Sequence, residues 1–356
     1  MNEDVLVSVD TVVKQFPVQS GSIRRSQEHV HAVDGVSLEI RRGETLGLVG
    51  ETGCGKSTLA RCIARLLDLT SGQVVFDGRD ISKLDARQMR PLRRDMQMIF
   101  QDPYGSLNPR RRVGSIIGDP LAIHGVADGK ERKRQVQEAM EVVGLNPEHN
   151  NRFPAEFSGG QRQRIGVARA LVLRPKLVIC DEPVSALDVS IQAQIINLLS
   201  DLQDLLNLTY LFIAHDLSVV RHVSDRVAVM YLGKVVELGS VEQLYGHARH
   251  PYTHALLSAV PQPDPDLAAQ QSRIILAGDV PSPIHVPSGC RFHPRCPKAQ
   301  PNCVETEPQL DPAPGDPADH DVACLYPVED GEDLTRAKPG IRAEERVVEA
   351  DTISQT

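Results

Sequence analysis

The sequence predicts an α/β fold built on a parallel sheet, and three stretches carry that prediction. The apolar run "TLGLVG" (45–50) leads into the glycine-rich "GETGCGKST" (50–58), after which the apolar spacing turns helical. A second run, "LVIC" (177–180), has no polar residue before it meets Asp181 and Glu182, as a strand buried on both faces requires. Next, "IQAQIINLLSDLQDLL" repeats apolar residues at Ile191, Ile195, Leu198, Leu199, Leu202 and Leu206, and "YLFIA" follows it. Strand, helix and strand in that order make neighbouring strands parallel.

The elements follow in chain order. "VLVSVDTVV" (5–13) alternates like a half-buried strand, and "HAVDGVSLEI" (31–40) reads as a further strand beyond a polar, irregular connection from Pro17 to His31. Past Gly50, Leu59, Cys62, Ile63, Leu66 and Leu67 form one helical stripe. A helix-rich segment is expected over about 102–173, and "RVAVMYLGKVVELG" (226–239) reads as a hairpin turning at Gly233-Lys234. Beyond about Tyr245 prolines multiply, apolar periodicity fades and four cysteines appear. The expected organisation is a nucleotide-binding domain over 1–245, a small Pro/Cys-rich region over 246–328, and a charged, disordered tail over 329–356.

Composition narrows the class. The 356 residues suffice for one large domain and a smaller appendage. With 39 basic against 47 acidic residues there is no electrostatic footprint for nucleic acid, and none is expected as a partner. No apolar run reaches the roughly 18 to 20 residues that span a bilayer, and "MNEDVLVSVD" has no signal-peptide pattern, so a soluble, cytosolic chain is expected. Seven cysteines, three of them (Cys54, Cys62, Cys180) within the core elements, argue against a disulfide framework.

"GETGCGKS" satisfies G-x-x-x-x-G-K-[ST] between an apolar strand and an amphipathic helix, the context that makes this motif specific. Gly50, Gly53 and Gly55 let backbone amides converge on phosphate oxygens, Lys56 reaches the β and γ oxygens, and Ser57 can ligate Mg²⁺. Glu51, Thr52, Cys54 and Thr58 complete the candidate loop. Asp181 at the strand end suits the Mg²⁺ shell, and Glu182 can polarise a water against the γ-phosphate. An isolated Asp-Glu pair is usually solvated; the phosphate loop upstream reverses that reading. A lone Gln is usually a surface residue, and a lone His at a strand end is usually structural. Here Gln101 ends "MIFQ", Asp188 ends "VSALD" and His215 follows "LFIA". The remaining piece is "FSGGQRQR" (157–164), a glycine pair at the start of a second helix and thus a second phosphate-binding element in one chain.

Taken in order, P-loop, Gln101, "SGGQ", Asp181-Glu182, Asp188 and His215 resemble the nucleotide-binding domain of ABC (ATP-binding cassette) proteins over about residues 5–245. The resemblance implies a P-loop core of the RecA-like type with an antiparallel β-subdomain and a helical subdomain. It implies ATP and Mg²⁺ as ligands, Ser57 and Gln101 near the metal, Asp181 supporting it, Glu182 as general base, and His215 against the γ-phosphate. It implies Phe16 as the aromatic on adenine and Asp188 in the D-loop. It also accounts for the second glycine element: Ser158, Gly159, Gly160 and Gln161 would cap the ATP of a facing subunit, with Phe157 where leucine is commoner. ATP binding then dimerises the chain, and hydrolysis separates it.

DNA-repair members of the class insert long coiled coils and ribosomal members carry two P-loops; neither feature is present, which leaves transport. A chain without a membrane span must then dock peripherally, at the cytoplasmic face, on separate permease subunits. The basic run in "NPRRRVG" is read as a solvated face. "FQDPYGSLNPR", "HPYTHALLSAVPQPDP" and "PSGCRFHPRCPKAQPNC" look like the F-type ATP-binding subunits of oligopeptide and dipeptide importers. That likeness implies two permease subunits, a sibling ATPase as the facing chain, and an extracytoplasmic substrate-binding protein; nickel and glutathione importers share the pattern. Cys290, Cys296, Cys303 and Cys324 are spaced C-x₅-C-x₆-C-x₂₀-C, which leaves an iron–sulfur cluster, zinc or unligated thiols open. The subfamily resemblance implies a structural [4Fe–4S] cluster on these four.

Overall fold

The computed structural model describes residues 4–18, 28–102, 105–260, 273–276, 278–313, 315–317 and 319–334. In chain order, β1 (Val5–Pro17) and β2 (His29–Arg41) precede β3 (Thr45–Val49), the phosphate loop and α1 (Lys56–Ile63). Then come β4 (Ser71–Phe76), β5 (Arg79–Asp80), α2 (Ala86–Leu92) and β6 (Met96–Ile99). Helices α3 (Val113–His124), α4 (Gly129–Val142) and α5 (Gly159–Leu171) fill the segment expected to be helical. The core resumes with β7 (Leu177–Asp181), α6 (Val189–Leu206), β8 (Thr209–Ile213), α7 (Leu217–Val223), β9 (Arg226–Tyr231) and β10 (Lys234–Ser240). The C-terminal region contributes α8 (Val241–His247), α9 (Pro251–Ser258), β11 (Asp311–Pro312) and β12 (Asp321–Val322).

Two sheets result. An antiparallel one runs β2-β1-β4-β5, and the larger one runs β11-β12-β10-β9-β3-β8-β7-β6. From β9 to β6 every pairing is parallel, while β10, β12 and β11 add on antiparallel. The apolar runs explain the layering. Alternate residues point to opposite faces, so Leu46, Leu48, Leu177, Ile179, Leu211 and Ile213 meet α1 and the antiparallel sheet in one core. Val49, Val178, Cys180, Tyr210 and Phe212 meet helices α3, α5 and α6 in another. A strand with both faces covered has no place for a polar side chain, which is why these runs stay apolar up to their functional ends.

The α1 stripe is shorter than its spacing predicts. The helix stops at Ile63, Arg65 turns to φ 50°, and Leu66 is left 48% exposed. Arg65 is buried instead, its guanidinium donating to the carbonyls of Ile81, Leu67 and Leu84. Of the irregular connection after β1, residues 19–27 lie outside the described residues.

The C-terminal region is better packed than its composition suggests. Tyr252 and Phe292 are buried, and their rings lie 5.4 Å apart, with Tyr231 of β9 at 4.7 and 5.2 Å from them. Glu237 of β10 is fully buried and accepts from His320 at 2.9 Å and from the amides of Arg249 and His250 at 2.5 and 3.0 Å. Residues 329–334, expected to belong to the tail, pack on this region. Val328 and Leu334 are buried, the Val328 amide donates to the Arg249 carbonyl, and Lys298 pairs with Glu332; residues 335–356 lie outside the described residues.

Candidate active site

The phosphate loop is forced into shape by its glycines. Gly50 takes φ 147° and Gly55 φ 111°, and a Cβ there would stand 2.1 Å from the Met230 carbonyl oxygen and 2.0 Å from that of Ala32. Only a residue without a side chain fits between the loop and those two strands. Lys56, 4% exposed, donates to the loop's own carbonyls at Gly50 (2.7 Å) and Glu51 (3.0 Å). Its ammonium is thus held at the centre of the loop, where a polyphosphate would lie.

At the adjoining strand ends, Ser57 donates to Asp181 at 2.7 Å, and Arg61 stands 3.7 Å from the same carboxylate. A hydroxyl and a carboxylate in contact form a hard-oxygen pair suited to Mg²⁺. Gln101 donates to Glu182 at 2.8 Å, and His215 Nδ1 lies 3.7 Å from the same Oε2. Glu182 sits at φ 49°, a conformation that turns the chain sharply at the end of β7 and aims its carboxylate at the neighbouring strand ends. One cleft of about 790 Å³ is lined by Phe16, Thr52, Gly53, Gly55, Lys56, Ser57, Thr58, Gln101, Glu182 and His215, with Ser185, Ala186, Ala32 and Pro283.

The sequence therefore anticipates most of the cleft, with informative exceptions. Glu51 is turned out of it: its amide donates to the Tyr252 hydroxyl at 2.8 Å, and its carboxylate meets Arg295. Cys54 is buried in the hydrophobic core below the loop, where burial raises its thiol pKa. Ser158, Gly159, Gly160, Gln161 and Asp188 do not line this cleft among the described residues. Ser158 caps α5 instead, in a reciprocal capping box with Gln161. Arg61, Tyr252, Pro283 and Arg295 were not anticipated; their partners lie up to 244 residues away in sequence, and no local pattern marks such pairs.

The four C-terminal cysteines are free of disulfides. They share one neighbourhood: after burial, the charges of Cys324, Cys290 and Cys303 all help to push the Cys296 thiol up to about 12. Yet no group of three or more His, Cys, Asp or Glu side chains is placed to hold a metal ion among the described residues. The four-cysteine ligand set that the resemblance implies is not found assembled among the described residues, where Cys303 Sγ accepts from the Gln300 amide at 3.5 Å, a local loop contact.

The ABC transporter family model matches residues 33–185, and the model for the oligopeptide/dipeptide transporter C-terminal region matches residues 236–303. The oligopeptide transport ATP-binding protein AppF of Bacillus subtilis is 53% identical over 328 residues, covering 91% of this chain and 98% of that protein. The chain belongs to the family of ABC transporter ATP-binding proteins. OppF of Escherichia coli, another oligopeptide transport ATP-binding protein, is 51% identical over 90% of this chain and 96% of its own length. Among solved structures, a dimeric ATP-binding cassette in a post-hydrolysis state, bound to ADP and Pi, is 29% identical with a TM-score of 0.59 over 66% of this chain and 99% of its own. Membership makes the chain an ATPase coupled to transport. No helix among the described residues is long and apolar enough to cross a membrane.

Proposed function

We propose that this ABC ATPase powers uptake of dipeptides or oligopeptides, working peripherally at the cytoplasmic face of the membrane on separate permease subunits. One observation carries the hydrolytic half: Gln101, Glu182 and His215 meet beside the Ser57–Asp181 pair in the cleft lined by the phosphate loop. The peptide half rests on the C-terminal match at residues 236–303 and on the oligopeptide transporters among the relatives. A sibling ATPase as the facing subunit, two permeases and an extracytoplasmic binding protein belong to the same proposal.

Each residue has a role in this reading. The loop amides and Lys56 bind the phosphates and neutralise their charge. Ser57 and Gln101 would hold Mg²⁺ with Asp181 supporting it, and the bound ion would draw charge from the β and γ oxygens. Glu182 orients the attacking water and takes its proton, while Gln101 holds the carboxylate in place and His215 presents an N–H to the γ-phosphate. Phe16 lies at the cleft wall where an adenine ring can stack. Ser158 to Gln161 close the site of the facing subunit, their helix start offering amides to its ATP, and Asp188 lies at that interface. That none of the five lines the cleft of its own chain supports this reading. A metal on the four cysteines is a separate proposal supported by donor chemistry, four free thiols in one neighbourhood.

The test is Glu182→Gln, which keeps the phosphate ligands and removes the base. Turnover should fall by roughly 10²-fold or more with ATP still bound and a dimer accumulating. Lys56→Ala should act earlier, abolishing ATP binding and therefore the dimer. Near-normal turnover in Glu182→Gln, with the facing subunit's site also disabled, would refute the assignment of the base.

A further inference from the structure

The second residue of the phosphate loop is gripped from outside the nucleotide-binding fold. Arg295, in the loop between Cys290 and Cys296, donates through both terminal nitrogens to Glu51, at 2.8 Å to Oε2 and 3.0 Å to Oε1. Its side chain is 8% exposed and that of Glu51 27%. A fork-on-fork guanidinium–carboxylate pair fixes orientation as well as distance. From α9, Tyr252 takes the Glu51 amide N–H at 2.8 Å, so both ends of this residue are held by the C-terminal region. The grip has its own support: the Arg295 guanidinium lies over the Tyr231 ring, 5.9 Å from its centroid, and Tyr231, Tyr252 and Phe292 pack edge to face or tilted around it. A second contact is independent of these. The His31 amide donates to the Pro283 carbonyl at 2.9 Å, and Pro283 itself lines the cleft.

We propose that Arg295 and Tyr252 are positioning residues for ATP binding, acting through Glu51 to hold the phosphate loop in its binding shape. The inference rests on the reading of the cleft as the ATP site. Two physical effects follow from the contacts. The Glu51 carboxylate adjoins a loop built to receive a polyphosphate, and Arg295 neutralises it; without the arginine that charge repels the incoming anion. The loop amides converge only when the backbone at residue 51 is fixed, and a loop ordered before binding spends less affinity on ordering. Docking of the C-terminal region is thereby coupled to nucleotide affinity, although neither residue touches the phosphates.

The experiment measures ATP affinity by calorimetry, and thermal stability in parallel, on the full chain carrying Arg295→Ala, Arg295→Lys, Tyr252→Phe, Glu51→Gln and the double variant Glu51→Gln/Arg295→Ala. Arg295→Ala should weaken ATP binding about tenfold, and Arg295→Lys, which keeps the charge but not the fork, should recover part of it. Tyr252→Phe, which removes one hydroxyl, should cost about three- to tenfold and guards against a folding failure in Arg295→Ala. In the Glu51→Gln background, where no carboxylate needs neutralising, adding Arg295→Ala should cost less than half of its effect alone. Unchanged ATP affinity in Arg295→Ala and Tyr252→Phe, or a strictly additive double variant, would overturn the proposal. Lys56→Ala separates the two levels: if it retains ATP binding, the reading of the cleft fails, whereas its loss alongside wild-type affinity in Arg295→Ala sinks only this inference.

Discussion

Glu237→Ala is the most demanding test of how the C-terminal region is held. The fully buried carboxylate accepts three donors: the Arg249 amide at 2.5 Å, the His250 amide at 3.0 Å and His320 Nε2 at 2.9 Å. Truncation strands all three in a site that excludes water. Each buried donor without an acceptor costs about 1–3 kcal/mol, so the three together cost about 3–9 kcal/mol, a large share of the stability of an ordinary domain. Glu237→Gln keeps one acceptor oxygen but turns an amide N–H₂ toward a donor, and should recover at most about half of that loss. The chain has no tryptophan, so urea unfolding is best followed by far-UV circular dichroism, with hydrogen exchange to locate the opened segment. A loss below about 1 kcal/mol, or exchange that rises only in the helices α3 to α5, would refute the reasoning.

The same network makes stability depend on pH. Burial pushes the His320 pKa down, but hydrogen bonds and charge from Glu237 and Asp316 outweigh it, and the net shift is above the ordinary value of 6.5. The contribution is therefore complete below about pH 6.5 and lost as pH rises through the folded-state value; unfolding curves from pH 6 to 9 should show the decline, and His320→Gln should flatten it. Phe16→Ala should weaken ATP binding several-fold with the Ser57–Asp181 pair intact, and unchanged affinity in calorimetry would remove Phe16 from the site. Protein purified without oxygen should be assayed for iron, sulfide and zinc: a four-thiol cluster predicts iron and sulfide near four per chain, lost in Cys303→Ser, and iron-free, colourless protein would exclude it.

The parallel core was legible because burial on both faces leaves the sequence no freedom: "TLGLV", "LVICD" and "TYLFI" are apolar up to the residue that turns into the site. Glu182 and His215 were legible for the related reason that they sit just past the ends of two of those runs. By contrast β4, "SGQVVF", buries only two of its six residues fully and carries little periodic signal. The helix α9 has only eight residues and opens on Pro251, so among many prolines it leaves no periodic pattern. Glu51 was assigned to the nucleotide by its place in the motif, yet its orientation is decided by Arg295 and Tyr252, 244 and 201 residues away. A motif specifies which backbone must be free to turn, and tertiary contacts decide where its variable side chains go.

The two short strands at the far end of the large sheet have a consequence for solubility. β10 would be an open edge, with Val235, Val236 and Leu238 beside unpaired amides and carbonyls. β12 pairs with it at Glu237 and Leu238, and the Ala323 amide donates to the Val236 carbonyl at 2.8 Å. β11, beyond it, is two residues long and carries Pro312, which has no N–H to offer a neighbour. A strand edge finished in this way gives a second chain nothing to extend. Cutting the protein at residue 245 to obtain the catalytic fold alone would uncover that edge, so such a fragment should associate through β10 and form sheet-rich aggregates in the concentration range where the full chain stays dispersed.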